Sequence, residues 1–326
     1  MTDFDLLGIG NALVDVVAQA DDAFLDEHGL DKGAMMLIDP DRADFLYSRM
    51  GPATESSGGS CGNTMAGFAS LGGRGAYIGK VRDDQFGTVF RHDLDAIGVT
   101  YRTPAAEEGP ATGRCLVVVT PDAQRTMSTY LGAATRLTVD DIDADLVRGA
   151  AVTYMEGYLF DPPEAKAAFV RAAEIAHAAG RKVSITLSDS FCVDRHRAAF
   201  LHLVESHIDI LFANEDEIRS LYEVESFDDA LQAVRGHCEV ACLTRSEKGS
   251  VIVAGDEVHV VDAAPAARVL DTTGAGDQYA AGFLFGYTRG RGLAESGRIG
   301  GLAAAEVIAH YGARPEVPLH TLLADT

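Results

Sequence analysis

Val152-Thr-Tyr-Met-Glu156 is a short apolar run, and a helical pattern over 164–179 and a second apolar run, Lys182-Val-Ser-Ile-Thr-Leu187, follow it. Continuous apolar runs of this length are typical of strands that are covered on both faces, as in a parallel sheet. The same alternation of strand and helix continues from there towards the C-terminus. It predicts an α/β fold with a doubly wound, mainly parallel sheet, flanked by helices and joined by right-handed crossovers.

The rest of the chain fits the same alternation, apart from two regions. The predicted strands are 5–10, 75–79, 152–156, 182–187, 208–213, 240–244 and 249–254. The predicted helices are 63–71, 85–97, 164–179, 195–205, 215–222, 227–236, 277–289 and 293–310.

The two regions that break the alternation, 12–51 and 101–134, contain irregular β patterns. They predict a small β lid built from two separated segments, with an extension of the main sheet as the alternative. The segments 1–11, 52–100 and 135–326 then form one large α/β domain.

Composition excludes several classes of function. The net charge of −22 disfavours binding to nucleic acid and to anionic membranes. The sequence has no apolar run long enough for a transmembrane helix and no basic signal segment, so we expect a cytoplasmic protein. The five cysteines are scattered and lack the paired spacing of a zinc site, so we expect reduced thiols. A monomer and a homodimer are both compatible with the sequence.

Asp271-Thr-Thr-Gly-Ala-Gly-Asp277 places an acid at the end of a glycine turn that opens a helix. The backbone amides of Gly274, Ala275 and Gly276 can converge on one anion, because the first amides of a helix have no intrahelical acceptor. A carboxylate beside a bound phosphate suits a base that deprotonates an attacking hydroxyl. Asp277 is therefore a candidate general base, with an ordinary acid in the first turn of a helix as the alternative.

Two glycine-rich segments carry further polar residues. Gly8-Ile-Gly10-Asn-Ala-Leu13 lacks the third glycine of a dinucleotide fingerprint, but it leaves Asn11 and Asp15 after a buried strand, where ligands of open α/β sheets bind. Gly58-Gly59-Ser60-Cys-Gly62-Asn63 lacks the lysine of a phosphate-binding loop, and its amides with Ser60 and Asn63 suit sugar hydroxyls. Ordinary turn chemistry and a capped helix start are the alternatives.

Asn214-Glu-Asp-Glu217 directly follows a predicted strand. Oxygen ligands at this edge of a sheet suit Mg²⁺ that is held largely through water and phosphate, and a capped helix with acidic first-turn residues is the alternative. Thr244-Arg-Ser-Glu-Lys-Gly249 joins two predicted strands by a tight turn on which a nucleotide could lie.

These motifs, in this order and spacing, resemble the ribokinase-like family of carbohydrate and nucleoside kinases, often called the PfkB family. The resemblance spans nearly the whole chain and rests on the following motifs: Gly10-Asn11-x-x-x-Asp15, Gly58-Gly59-Ser60-x-x-Asn63, Gly79-x-x-x-Asp83-x-x-Gly87, Asn214-x-x-Glu217, Thr244 with Gly249, and the segment 271–277.

The resemblance implies an ATP-dependent kinase with Asp277 as general base and Gly274, Ala275 and Gly276 as the anion hole. It implies acceptor binding by Asn11, Asp15, Gly59, Ser60 and Asn63, and ATP binding by Asn214, Thr244 and Gly249. Asn214 and Glu217 would organise Mg²⁺, and Asp271 and Thr273 match the position of an activating K⁺.

Within the family the chain looks most like the adenosine kinases, through the segments 125–134, 154–158 and 187–191. This implies transfer to the 5′ hydroxyl of adenosine or a related nucleoside, and purine salvage. Thr273 departs from the likeness, because eukaryotic adenosine kinases usually have Asn there and sugar kinases Thr. A kinase of free ribose, fructose or ketogluconate is therefore the first alternative. A sensor that binds a nucleoside or sugar without turnover is the second alternative. A purine also needs an apolar slot, for which the candidates are Met35, Met36, Met127, Tyr130, Phe160 and Phe191.

Overall fold

The computed structural model describes residues 2–160 and 162–324. Its strands are β1 (Phe4–Ile9), β2 (Leu13–Gln19), β3 (Met35–Leu37), β4 (Ala53–Gly58), β5 (Gly75–Ile78), β6 (Thr100–Tyr101), β7 (Gly113–Val119), β8 (Arg125–Tyr130), β9 (Ala150–Glu156), β10 (Lys182–Thr186), β11 (Ile210–Asn214), β12 (Val240–Thr244), β13 (Ser250–Ala254) and β14 (Glu257–Val261). Its α-helices are α1 (Asp22–His28), α2 (Pro40–Arg49), α3 (Ser60–Ser70), α4 (Gln85–Ala96), α5 (Ala144–Gly149), α6 (Pro163–Ala178), α7 (Ser190–His207), α8 (Glu215–Tyr222), α9 (Phe227–Val234), α10 (Ala275–Thr288) and α11 (Leu293–Val307).

The large sheet has nine strands in the order β14-β13-β12-β11-β10-β9-β1-β5-β6. The strands from β12 to β6 pair in parallel, and β13 and β14 complete one edge in antiparallel pairing. Successive residues of a strand enter apolar cores on opposite faces of this sheet, as Leu6 and Leu7 do. The predicted mainly parallel α/β fold is confirmed, and burial of both faces explains the apolar runs.

The chain runs from β1 outwards to β5 and β6, and it returns to the other side of β1 with β9. The strand order therefore reverses between β1 and β9, which is where open α/β sheets bind ligands beyond the carboxyl ends of their strands. Asn11 follows β1 at this edge, and Glu156, Asn214 and Thr244 end β9, β11 and β12.

The small sheet has the order β3-β8-β7-β2-β4, and four of its five strands lie in the two segments predicted for the lid. The fifth, β4, lies beyond the predicted boundary at residue 52. Its sequence, Ala53-Thr-Glu-Ser-Ser-Gly58, has no apolar alternation, because β4 is an edge strand whose first two residues are exposed. The division of the chain into two domains stays a prediction.

Pairing in the small sheet determines which residues share a face. Asp15 pairs with Cys115, Cys115 with Thr129, and Leu37 with Thr129, and alternate residues of each strand lie on the same side. This side, which we call the inner face, carries Asp15, Val17, Met35, Leu37, Cys115, Val117, Arg125, Met127 and Thr129. The opposite side packs Val14, Val16, Leu116 and Val118 into a core with residues of α1, α2 and α4.

Some elements differ from the prediction. The helix predicted at 195–205 begins earlier, as α7, because Asp189 caps it by accepting from the amide of Cys192, and a kink at His196 lies inside it. Helices α1 and α2 lie within a region predicted as β, and each begins after an aspartate cap, Asp21 and Asp39. Among the described residues, no helix combines the length and apolarity needed to cross a membrane.

Candidate active site

The segment 271–277 forms a turn that leads into α10. Gly274 has φ 78°, and a Cβ there would lie 2.7 Å from the Cα atom of Ala313, so both backbone and packing require glycine. No side chain of the described residues caps α10, and a Cβ added to Gly276 would meet open space. The amide of Ala275 donates to the carbonyl of Thr272 at 3.2 Å and would have to leave it to bind an anion. The helix thus starts with amides that no described side chain caps, and the space beside Gly276 is open.

Asp277 lies in the first turn of α10 and is held by α3. The Ser60 hydroxyl donates to its Oδ1 at 2.6 Å, and the Asn63 Nδ2 donates to its Oδ2 at 3.2 Å. Burial raises the pKa of Asp277 to about 6, the two hydrogen bonds lower it, and the charge of Asp15 raises it. A carboxylate with this pKa is ionised at pH 7 yet accepts a proton readily, as a general base requires.

Asp15 lies on the inner face of the small sheet, near enough to Asp277 for its charge to raise the pKa of that acid. Burial raises the pKa of Asp15 to about 6, and the charges of Arg314 and Arg125 lower it. A Cβ on Gly58 would collide with the Asp15 carboxylate, so glycine at this position makes room for the acid. Two half-buried carboxylates, Asp15 on the small sheet and Asp277 on α10, therefore lie close enough for their charges to interact.

Asn11 contacts an acid that the sequence analysis did not single out. Its Nδ2 donates to Glu156 Oε1 at 2.7 Å, and the amide of Cys61 donates to Glu156 Oε2 at 2.8 Å. Burial raises the pKa of Glu156 to about 7. Glu156 thus joins the end of β1 to the start of α3. A buried acid at the end of an apolar strand was the available signal, since the residue ends the segment Val152-Thr-Tyr-Met-Glu156.

Each carboxylate oxygen of Asp271 already accepts two hydrogen bonds in this structure. Its Oδ1 accepts from the amide and hydroxyl of Thr273 at 2.9 and 2.6 Å, and its Oδ2 accepts from the amide of Gly312 at 3.0 Å and from Arg125 at 2.6 Å. Arg125 comes from β8 and supplies the positive charge. The arrangement does not fit the K⁺ expected at Asp271 and Thr273, because a guanidinium already neutralises the carboxylate.

Asn214 and Glu217 form a reciprocal cap at the start of α8. The Asn214 Nδ2 donates to Glu217 Oε1 at 2.6 Å, and the Glu217 amide donates to Asn214 Oδ1 at 2.8 Å. Burial raises the pKa of Glu217 to about 7, and the charges of Asp189 and Asp277 add to this. No group of three or more metal-binding side chains occurs in the described part of the chain. The pair therefore fits Mg²⁺ only through water and phosphate oxygens, with Glu217 as its one carboxylate.

Thr244 and Gly249 border the same edge of the sheet. Thr244 pairs with Asn214 across β11 and β12, so the two residues lie side by side. Gly249 has φ 79°, and a Cβ there would collide with the carbonyl oxygen of Val261. The turn therefore requires glycine, and it joins β12 to the antiparallel strand β13 as predicted.

The sequence matches the pfkB family of carbohydrate kinases over residues 35–320. The chain belongs to this family. It is therefore a phosphotransferase that uses an alcohol group as acceptor.

Solved structures and a curated relative extend the comparison. The adenosine kinase from Sinorhizobium meliloti is 55% identical, with 99% of each chain covered and a TM-score of 0.91. A probable sugar kinase from Rhizobium etli is 51% identical over 100% of this chain and 99% of its own, with a TM-score of 0.92. Adenosine kinase 1 of Arabidopsis thaliana is 28% identical over 97% of this chain and 98% of its own. The relatives thus include adenosine kinases and a probable sugar kinase.

Three charged residues of this pfkB-family site escaped the sequence analysis: Arg125, Glu156 and Arg314. Each contacts a predicted site residue, namely Asp271, Asn11 and Asn63 respectively. Arg125 was noted only as part of a family-like segment, and Arg314 lies outside every motif.

Proposed function

We propose that the protein transfers the γ-phosphoryl group of ATP to the 5′ hydroxyl of adenosine or a related nucleoside, with Asp277 as general base. The observation that carries this proposal is the placement of Asp277, because its carboxylate lies in the first turn of a helix that begins with uncapped amides. The amides provide a site for the transferred phosphoryl group, and the carboxylate lies beside it to take the proton of the attacking hydroxyl.

The remaining roles follow from position. Ser60 and Asn63 contact Asp277 and Asp15 lies near it, so we assign the acceptor hydroxyls to this side together with Asn11 and Gly59. ATP is assigned to the edge formed by Asn214, Thr244 and Gly249. Mg²⁺ bound near Asn214 and Glu217 through water would neutralise phosphate charge there.

The inner face of the small sheet supports a nucleoside rather than a free sugar. Met35 and Leu37 expose 46% and 53% of their surface on the face that carries Asp15. A cavity of about 290 Å³ is lined in part by Leu37, Thr129 and Leu131. Phe191 is 74% exposed in the first turn of α7. An apolar surface beside the hydroxyl-binding side suits a purine, whereas ribose alone would leave it uncovered.

The six candidates for the purine slot fall into two groups: three lie on the inner face or are exposed, and three lie in a core or on the opposite face of the small sheet. Met35 and Met127 lie on the inner face, and Phe191 is exposed. Met36 packs into the core on the opposite side of the small sheet. Tyr130 pairs with Arg114 on that opposite side, although it also borders the cavity beside Leu37. Phe160 is stacked on Phe200 in the large core. We therefore propose a slot formed by Met35, Leu37, Met127 and Phe191.

Leu37→Ser is expected to raise the KM for adenosine by roughly 10-fold, the effect of losing most of one apolar side-chain contact, and to leave the KM for ATP unchanged. Because Leu37 is exposed in the free protein, little loss of thermal stability is expected. Val260→Ser, at an exposed position of β14, serves as the control. Steady-state kinetics test both variants. An unchanged KM for adenosine in Leu37→Ser would place the adenine ring of the acceptor elsewhere.

The acceptor is tested by ATP consumption with adenosine, inosine, guanosine, ribose, fructose and 2-keto-3-deoxygluconate in parallel. Turnover with a nucleoside supports the proposal. Turnover only with a free sugar, which Thr273 would favour, would keep the chemistry and replace the acceptor. Binding of a nucleoside without ATP consumption would support the sensor.

Replacing K⁺ by choline is expected to change turnover by less than about threefold, under 1 kcal/mol in activation free energy, because Arg125 already neutralises Asp271. The measurement is a titration of KCl at constant ionic strength, with saturating Mg²⁺ and ATP. A strong, saturable activation by K⁺ would show that Arg125 leaves Asp271 during turnover and would restore the expected cation site.

A further inference from the structure

The segment that follows α11 is anchored in the middle of the candidate site. The amide of Gly312 donates to Asp271 Oδ2 at 3.0 Å. The Gln278 Nε2 donates to the carbonyl of Ala313 at 2.9 Å and to the carbonyl of Asn63 at 3.0 Å. Gln278 thereby ties this segment to both α3 and α10, so the next residue, Arg314, is held beside Asn63.

Arg314 and Asp277 contact opposite ends of the side-chain amide of Asn63. Its Nε donates to Asn63 Oδ1 at 3.4 Å, and Asn63 Nδ2 donates to Asp277 Oδ2 at 3.2 Å. We propose that Arg314 is a positioning residue that holds Asn63 with its N–H group turned to the general base. This inference rests on the proposed function, because it assigns Asp277 the role of base.

The physical reason is that a guanidinium only donates hydrogen bonds, whereas a side-chain amide has one accepting and one donating end. If Asn63 turned over, its NH₂ group would face the guanidinium and its oxygen would face Asp277. The turned amide would favour a protonated Asp277, since only the protonated acid can donate to that oxygen. Arg314 prevents this, and Asp277 stays ionised and ready to accept a proton.

The Arg314 guanidinium has unused hydrogen-bonding capacity. Its Nη2 is buried without a hydrogen-bond partner among residues 2–160 and 162–324. Burial lowers the pKa of Arg314, and Asp15, Asp93 and Tyr77 are the ionisable groups whose charges oppose this.

Several elements place polar or ionisable groups within electrostatic range of Asp277. These groups are Asp15 on β2, Ser60, Cys61 and Asn63 on α3, Tyr154 and Glu156 on β9, Tyr158 after β9, and Glu217 on α8. All of the ionisable groups in this set are acids, so loss of the Arg314 charge beside Asn63 is not compensated from within it.

The test is the acid limb of the pH profile of kcat at saturating acceptor, because Arg314 also lowers the pKa of Asp15 and a change in acceptor binding would enter kcat/KM. Arg314→Met is expected to move this limb upwards by about 0.5 to 1 pH unit, the shift that corresponds to one net hydrogen bond, because the ionised base loses a fixed donor. Arg314→Lys keeps a charged donor and is expected to restore most of the shift. Arg289→Met, at the opposite end of α10, removes the same charge away from the site and is expected to leave the limb in place.

A double-mutant cycle shows whether the effect passes through Asn63. In an Asn63→Ala background, Arg314→Met is expected to add less than half of its shift. An unmoved limb in Arg314→Met, or an equal shift in both backgrounds, overturns the inference. If Arg314→Met loses its thermal transition, the comparison of Arg314→Gln with Arg314→Lys carries the test, because glutamine can present either its donating or its accepting end to Asn63 whereas lysine only donates. Turnover that survives Asp277→Asn would remove the proposed function itself, whereas Asp277-dependent turnover without an Arg314 effect removes only this inference.

Discussion

Asp277→Asn is expected to lower kcat by about 10²- to 10⁴-fold, because a positioned general base contributes a rate acceleration in this range. Asparagine keeps the size of the side chain and an oxygen that accepts from Ser60, so the start of α10 keeps its shape. The affinity for the acceptor is therefore expected to stay within a few fold of the wild-type value. The measurement combines single-turnover kinetics with calorimetric titration of the acceptor.

The pH profile gives a second readout of the same variant. Because the base acts in its ionised form, and because burial raises the pKa of Asp277 to about 6, wild-type kcat falls as pH drops through about 6. Residual activity of Asp277→Asn is expected to lack this acid limb. Asp256→Asn, in the exposed turn between β13 and β14, is the matched control. Near-normal turnover in Asp277→Asn would remove the assignment of the base.

Asp15→Ala is expected to weaken acceptor binding by about 2–4 kcal/mol, or roughly 30- to 700-fold, since the acceptor hydroxyls lose a charged hydrogen-bond acceptor in a buried site. The KM for ATP is expected to change little, because Asp15 lies on the inner face of the small sheet. Calorimetry with the acceptor alone measures the loss without involving chemistry.

Two comparisons separate charge from shape at this position. Asp15→Asn keeps the volume beside Gly58 and removes the charge, so an equal loss in both variants assigns the effect to charge. Wild-type affinity is expected to fall below about pH 6, because burial raises the pKa of Asp15 to that value and the protonated acid accepts hydrogen bonds poorly. Asp41→Ala, on the exposed side of α2, is the control. Unchanged affinity in Asp15→Ala would place the acceptor elsewhere.

Local patterns predicted most of the large sheet correctly, and the errors have physical causes. The strands at 152–156 and 182–187 are covered on both faces, so their apolar runs carry the signal directly. Strand β14 was missed because most of its residues are exposed at the edge of the sheet. Strand β4 was missed because it is an edge strand whose sequence, Ala53-Thr-Glu-Ser-Ser-Gly58, has no apolar alternation.

The sequence by itself determined the α/β alternation and the glycine turns at Gly274 and Gly249, because a covered strand needs apolar residues and a positive φ needs glycine. The tertiary structure alone decided which distant charges meet. Arg125 reaches Asp271 across 146 positions, Asn11 reaches Glu156 across 145, and Arg314 reaches Asn63 across 251. Such contacts depend on strand order, pairing register and the return of the C-terminal segment, and no local pattern of residues records these.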